Sequence, residues 1–219
     1  MLTLVRRMTV FASLAVALAS ANAATDGGAQ VAIEAGPQDV HALVIDAQAW
    51  GASHAGVAVR FASSGAADFA VLDAGAALSR RIAGEALKAV FVVSRQPAGN
   101  TSTYRVLVVR ESLMARDPAI VERVVGQFES ARQWLGGHQE EAAALIAKAG
   151  GISQEAARNQ LARSDLQVAR PGPALAHALK SRADPTHAAQ IDALIDDGPM
   201  RAAARTLQRG DRAALLSLR

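Results

Sequence analysis

Short apolar runs alternate with helical segments over the first half of the chain. Five runs have the length and the β-branched content of strands: VAIEAG, GVAVRFA, ADFAVLD, ALKAVFVVS and TYRVLVV. Asp39 is placed to cap a helix after the first run, and AGAALSRRIAG predicts a second helix after the third run. This order predicts an α/β fold with an open, mostly parallel sheet and flanking helices.

The second half of the chain has helical periodicity. After TYRVLVV we predict a short polar turn, then a helix with Asp117 as its N-cap and Pro118 at its first position. Its apolar stripe contains Ile120, Val121, Val124, Val125, Phe128, Ala131, Trp134 and Leu135, whereas Arg123, Glu129 and Arg132 lie mainly outside the stripe. Gly136 and Gly137 end this helix. Further helices run through EEAAALIAKA, from the Ser153 cap, and onward to Arg219, with breaks at prolines, which predicts a helical C-terminal part.

The first 23 residues have the pattern of a secretory signal peptide. Arg6 and Arg7 precede an apolar run from Met8 to Leu18, and Ala21-Asn22-Ala23 is a small-residue cleavage pattern. We therefore expect a signal peptide at 1–23 and a single domain at 24–219 that is exported to the periplasm. An uncleaved N-terminal anchor is the alternative reading of the same residues.

Composition narrows the class of partner. The chain has 23 Lys and Arg against 20 Asp and Glu, and without the leader's two arginines the remainder is almost neutral. No basic block with interleaved aromatic residues is present, which argues against nucleic acid as a partner. Cysteine is absent, so an exported chain of this kind must be stabilised by its core without disulfides.

The sequence contains no recognisable catalytic or metal-binding motif. The five histidines never occur at the close spacings of metal ligands, and no nucleophile elbow, dinucleotide fingerprint or phosphate-binding loop is present. We therefore expect a protein that is not an enzyme and that needs neither a cofactor nor a metal.

Two stretches resemble a known family. YRVLVVRESLMARDPAIVERVVGQFESARQWLGGHQEEAAALIAKAGGISQEAAR and GVAVRFASSGAADFAVLDAGAALSRRIAGEALKAVFVVS are similar to segments of periplasmic solute-binding proteins for aliphatic sulfonates, taurine and nitrate. The resemblance covers about residues 31–165 and rests on the order and spacing of several motifs. It implies a type 2 periplasmic-binding fold, and an exported component that delivers a small anionic solute to the permease of an ABC transporter, as a monomer.

The chain is short for this family. Its members have two α/β lobes that close on a ligand, and two lobes need more residues than this chain supplies. One register places the missing part between Val93 and Tyr104, and the other places it near Ser64. Either register predicts that one lobe is incomplete, and a reduced member that acts as an interaction or sensor module is therefore the alternative function.

Polar residues lie next to the ends of the predicted strands, where open α/β sheets bind ligands. Their hydroxyl and backbone N–H groups suit an oxyanion such as a sulfonate or nitrate, which needs donors and no proton transfer. The alternative is that these loops are ordinary turns. The candidate ligand-binding residues are Gln38 and His41 after the first strand, Ser63 and Ser64 after the second, Asp73 after the third, and Thr101 and Ser102 before the fifth.

Overall fold

Five strands form one open sheet in the computed structural model, which describes residues 29–36, 39–48, 57–62, 67–98 and 101–217. The strands are β1 (Ala29–Glu34), β2 (Val57–Ala62), β3 (Phe69–Asp73), β4 (Leu87–Ala98) and β5 (Thr101–Arg110). Their order across the sheet is β2-β1-β3-β5-β4. The candidate signal peptide lies outside the described residues and stays a prediction.

Strand direction brings one end of every strand to the same edge of the sheet. β1 pairs in parallel with β2 and β3, whereas β5 pairs antiparallel with both β3 and β4. Four strands therefore run the same way and β5 runs against them, which confirms the predicted open, mostly parallel sheet. The carboxyl ends of β1, β2, β3 and β4 meet the amino end of β5 at one edge, which we call the carboxyl rim.

β4 and β5 form a hairpin at the place where the first register put the missing lobe. Their pairing extends from Leu87 opposite Arg110 to Ala98 opposite Thr101, and only two residues connect them. β4 also continues past its predicted end at Gln96-Pro97, because proline is tolerated near the end of an outer strand where its missing N–H breaks no essential pairing. The chain thus returns into the same sheet directly after β4.

Helices cover both faces of the sheet. They are α1 (Val40–Ala47), α2 (Ala74–Ile82), α3 (Glu111–Arg116), α4 (Pro118–Gly137), α5 (Gln139–Gly150), α6 (Gln154–Ala162), α7 (Pro173–Lys180), α8 (Ala188–Leu194) and α9 (Gly198–Ser217), with a 3₁₀ turn at Pro185–His187. Within the described ranges none of these helices has the length and apolar character needed to cross a membrane.

The predicted helix caps are confirmed. The Asp39 carboxylate accepts from the Ala42 N–H at 3.1 Å, and the Asp117 carboxylate accepts from the Ile120 N–H at 3.0 Å. Ser153 caps α6 in the same way. The predicted polar turn before Asp117 was wrong, because residues 111–116 form helix α3. Leu113 is buried there at 2% exposure, so packing of this side chain stabilises a helical turn that the polar residues alone do not predict.

Each face of the sheet has its own core. β4 contributes side chains to both cores, so that Phe91 packs with α1, α4 and α5 on the first face and Val92 packs with α2, α7 and α8 on the second face. The predicted stripe of α4 faces the first core, although Ile120 and Trp134 are only half-buried.

Glu129 is buried, whereas the sequence placed it mainly outside the stripe of α4. Arg132 Nε donates to Glu129 Oε2 at 2.7 Å, and Arg132 Nη1 donates to Gln167 Oε1 at 3.0 Å. The segment after α6 therefore covers this pair, and the charge of Glu129 is compensated where it is buried.

The C-terminal half is tied to the outer edge of β4 by backbone hydrogen bonds. The Val92 N–H donates to the Ala169 carbonyl at 2.9 Å, and Arg95 and Asp165 exchange two backbone bonds at 2.9 and 2.7 Å. The Arg95 guanidinium also pairs with the Asp165 carboxylate at 2.6 Å. These contacts place the helical C-terminal part beside the carboxyl rim.

Candidate functional site

The carboxyl rim brings two helix N-termini and the start of β5 together. Asp39 caps α1 after β1, and Asp73 caps α2 after β3, where its Oδ1 accepts from the Gly75 N–H at 2.8 Å. An aspartate at each N-cap already supplies the negative charge that a helix N-terminus favours. A bound anion would therefore need donors from other parts of the rim.

Asp73 and Ser102 share one cleft, although they come from different strands. The cleft has a volume of about 280 Å³ and lies on the face of the sheet covered by α2, α7 and α8. We call it the Asp73 cleft. Apolar side chains such as Leu78 and Leu179 form part of its wall, and its polar lining residues are Asp73, Ser79, Ser102, Thr103, Tyr104, Arg182 and His187.

The Asp73 cleft contains charges of both signs. Asp73 is an exposed residue, and its Oδ1 accepts the hydrogen bond that caps α2. Arg182 and His187 line the cleft from the segment between α7 and α8. The arrangement offers donors to an oxyanion and an acceptor to an ammonium or hydroxyl group.

The other candidate ligand residues have different positions. Gln38, Ser63 and Ser64 lie outside the described residues, so their roles stay predictions. Thr101 is the first residue of β5 and therefore begins at the rim, beside Ser102.

His41 lies in the core and away from the Asp73 cleft. Its ring is fully buried, with centroids 5.9 Å from Phe91 and 6.0 Å from Phe128. Neither ring nitrogen has a hydrogen-bond partner among the described residues. Burial, together with the smaller effects of the nearby positive charges of Arg132 and Arg105, lowers the pKa of His41 to about 3. We therefore leave His41 out of the proposed ligand site.

Sequence reasoning missed three basic residues near the rim. Arg105 lies on β5, with its Nη2 atom 3.5 Å from Asp39 Oδ2, and its position near the amino end of a predicted strand was a usable signal. Arg182 and His187 follow α7, far from Asp73 in sequence. No local pattern in the chain connects them with the rim.

Comparison with known proteins defines the fold. No protein-family model matches this sequence, and no curated protein sequence matches it. Among solved structures, the chain is similar to the ligand-binding component of an ABC-type import system from Staphylococcus aureus with zinc bound, with a TM-score of 0.64 and 9% identity over 80% of this chain and 99% of that chain.

Two further solved structures give the same result. One is a Candida albicans gene product with the generic periplasmic binding protein fold, with a TM-score of 0.62 and 8% identity over 78% of this chain and 96% of that chain. The other is the periplasmic aliphatic sulphonate binding protein SsuA from Escherichia coli, with a TM-score of 0.60 and 10% identity over 75% of this chain and 94% of that chain. The chain therefore has a periplasmic-binding-protein-like fold, and its sheet and hairpin agree with one lobe being incomplete.

Proposed function

We propose that this protein is the exported solute-binding component of an ABC importer, and that it captures a small anionic solute in the periplasm for a membrane permease. The Asp73 cleft is the observation that carries the proposal. It lies at the edge of the sheet where open α/β folds bind ligands, and Arg182, His187, Ser102 and Thr103 are among the residues that line its space of about 280 Å³. The fold shared with solved solute-binding proteins supports the same role.

The charges of the cleft favour one kind of anionic solute over the others. Arg182 and His187 suit a sulfonate or nitrate group, whereas the Asp73 carboxylate would repel an anion that has no compensating donor. Taurine carries an ammonium group beside its sulfonate, so each end meets an opposite charge. We therefore rank taurine above simple alkyl sulfonates, and both above nitrate.

Titration calorimetry with taurine, ethanesulfonate and nitrate tests this ranking. Asp73→Asn keeps a side chain that can cap α2 but removes the charge. Losing a hydrogen bond to a charged group costs about 1.5–3 kcal/mol, so taurine affinity should fall more than tenfold. Ethanesulfonate has no ammonium group, and its affinity should not fall. Equal taurine affinity in the wild type and in Asp73→Asn would show that Asp73 does not bind the ammonium group.

Arg182→Gln is the complementary variant. It shortens and neutralises the side chain that faces the anionic group, so binding of taurine and of ethanesulfonate should weaken together. If Arg182→Gln changes neither affinity, the sulfonate binds elsewhere on the rim.

The loop after β2 is the second proposed anion site, because Ser63 and Ser64 are also proposed donors. Ser63→Ala and Ser64→Ala should each weaken binding by about 1.5–3 kcal/mol.

A second function is favoured by the β4–β5 hairpin. The hairpin joins the two strands directly, so the rim is not faced by a second lobe inserted between them. A reduced protein of this kind could act as an interaction or sensor module without carrying solute. If the wild-type protein binds none of the three anions in calorimetry, the transport proposal fails and this alternative is favoured.

A further inference from the structure

An open groove lies between helices α4 and α9, and we call it the α4–α9 groove. It has a volume of about 600 Å³, against about 280 Å³ for the Asp73 cleft. One wall comes from α4, and Ala203, Thr206 and Leu207 of α9 line the other. Thr206 is exposed, as is Gln133 on the α4 wall, so a ligand can enter the groove from solvent. The volume is in the range of small-molecule binding sites.

The groove lies on the side of α4 that faces away from the sheet. Gly126 lines it, and a Cβ atom at this position would be 4.0 Å from the Cβ atom of Ala203, so the two helices approach closely there. Phe128, which packs in the first core, is about 200° from Gly126 around the helix axis. The groove is therefore outside the core and shares no lining residue with the Asp73 cleft.

The charged lining residues lie at one end of the groove, near the start of α4. They are Glu122 and Arg123, which have opposite charges. Arg123 Nε donates to the carbonyl of Ala119 at 3.2 Å, and Ala119 lines the same end. The described lining residues from Gly126 to Trp134, and those of α9, are uncharged. A singly charged ligand would be attracted by one of the two residues and repelled by the other, whereas a zwitterionic head group complements both.

The rest of the groove suits an apolar chain. Most of the surface that lines it is apolar, and Leu207 and the half-buried Trp134 contribute large side chains. The ring of Trp134 stacks on His138 with centroids 4.5 Å apart and planes 3° apart, which fixes its orientation. From Glu122 to Trp134 the helix rises by about 18 Å, so the groove is long enough for an extended alkyl chain.

We infer that the α4–α9 groove binds a zwitterionic amphiphile with a single alkyl chain, of the chemical class of a lysophospholipid. The head group lies between Glu122 and Arg123, where its cationic part is attracted to the glutamate and its anionic part to the arginine. The chain runs past Gly126 toward Trp134, and its burial supplies most of the affinity. This binding does not depend on the proposed capture of an anion, because the two sites have no residue in common.

The test is an NMR titration of the full ¹⁵N-labelled chain with three decyl amphiphiles, each below its critical micelle concentration. They are decylphosphocholine, decyltrimethylammonium and decyl sulfate. The amide of Gly126 and the indole N–H of Trp134 should shift along one saturable curve, and decylphosphocholine should bind most tightly.

Glu122→Gln tests the position of the head group. It should weaken binding of decylphosphocholine and of decyltrimethylammonium by about two- to fivefold, the size of an ion pair near the surface, and it should not weaken binding of decyl sulfate. Glu141→Gln is the matched control, because it makes the same change at an exposed position of α5 outside the groove. Its three affinities should equal those of the wild type.

Two further variants test the position of the chain. Ser130→Leu fills the groove from α4 and should abolish the saturable shifts, whereas Ser112→Leu makes the same change at an exposed position of α3 and should bind as the wild type does. Gly126→Ala narrows the groove and should weaken binding. Its added methyl group meets Ala203 at an ordinary contact distance, so the fold is retained. Thermal melts without amphiphile show that each variant is folded.

Four results would overturn the proposal. The first is a decylphosphocholine titration whose shifts at Gly126 and Trp134 are linear in concentration. The second is tighter binding of either singly charged amphiphile. The third is equal decylphosphocholine affinity in Glu122→Gln and Glu141→Gln, and the fourth is unchanged binding in both Ser130→Leu and Gly126→Ala.

Discussion

The buried histidine on α1 predicts a specific dependence of stability on pH. His41 is fully enclosed beside Phe91 and Phe128, and neither ring nitrogen has a hydrogen-bond partner within the described ranges. Protonation of the folded protein would place a charge in this apolar site, near the positive charges of Arg132 and Arg105. His41 is therefore neutral in the folded state at ordinary pH, and it becomes protonated on unfolding when the pH is low enough.

The size of this effect follows from the pKa in each state. The pKa of His41 is about 3 in the folded protein, against 6.5 as its ordinary value. Between these values the unfolded state binds one more proton, so the free energy of unfolding falls by about 1.4 kcal/mol for each unit that the pH is lowered. The stability that neutral, buried His41 allows is fully present above the unfolded pKa, and it is lost as the pH falls toward the folded pKa. From about pH 7.5 to about pH 5 the loss is about 2 kcal/mol.

The assay compares the wild type with His41→Phe by urea unfolding across this pH range. Other titrating groups, including Asp39, are present in both proteins, so their contributions largely cancel in the difference. Any overpacking by the larger ring is independent of pH. The wild type should lose about 2 kcal/mol relative to the variant between about pH 7.5 and about pH 5. A difference that stays constant with pH would show that His41 is not buried and neutral, and would refute the reasoning.

Three further predictions concern the core, a helix cap and the leader. Phe128→Ala should lower the free energy of unfolding by about 3–5 kcal/mol in urea titration, because the ring is 0% exposed, and a loss below about 1 kcal/mol would place it on the surface. Asp117→Ala should cost about 0.5–2 kcal/mol through loss of the α4 cap, whereas Asp117→Asn should cost less, and equal losses would argue against capping. Mass spectrometry of exported protein should find a chain that starts at Ala24, and membrane-bound protein that retains Met1 would contradict signal cleavage.

Local signals in the sequence were enough for most of the elements of this fold. The alternation of apolar residues located all five strands, and Asp39, Asp117 and Ser153 cap the helices that follow them. These features depend on residues within one or two turns of each other, so they can be read from a single chain. The resemblance to periplasmic solute-binding proteins predicted the same architecture, and solved structures confirm the fold but not the solute.

The positions of polar residues were harder to predict from the sequence. The sequence placed His41 at a ligand loop, yet the rings of Phe91 and Phe128 enclose it. Glu129 was expected mainly outside the apolar stripe, but Arg132 and the segment after α6 cover it. In both cases the deciding contact comes from a distant part of the chain or from a pair of charges, and helical periodicity contains no information about either.

By itself, the sequence determined the order of the five strands along the chain, most of the helices and their apolar faces, and two of the residues that line the Asp73 cleft. Only the tertiary structure decided that Arg182 and His187 meet Asp73, and that Arg105 meets the buried carboxylate of Asp39. The physical reason is the separation along the chain of the residues that interact. Backbone hydrogen bonding and side-chain periodicity act between near neighbours, whereas a binding site is assembled where segments far apart in the chain pack against the same edge of a sheet.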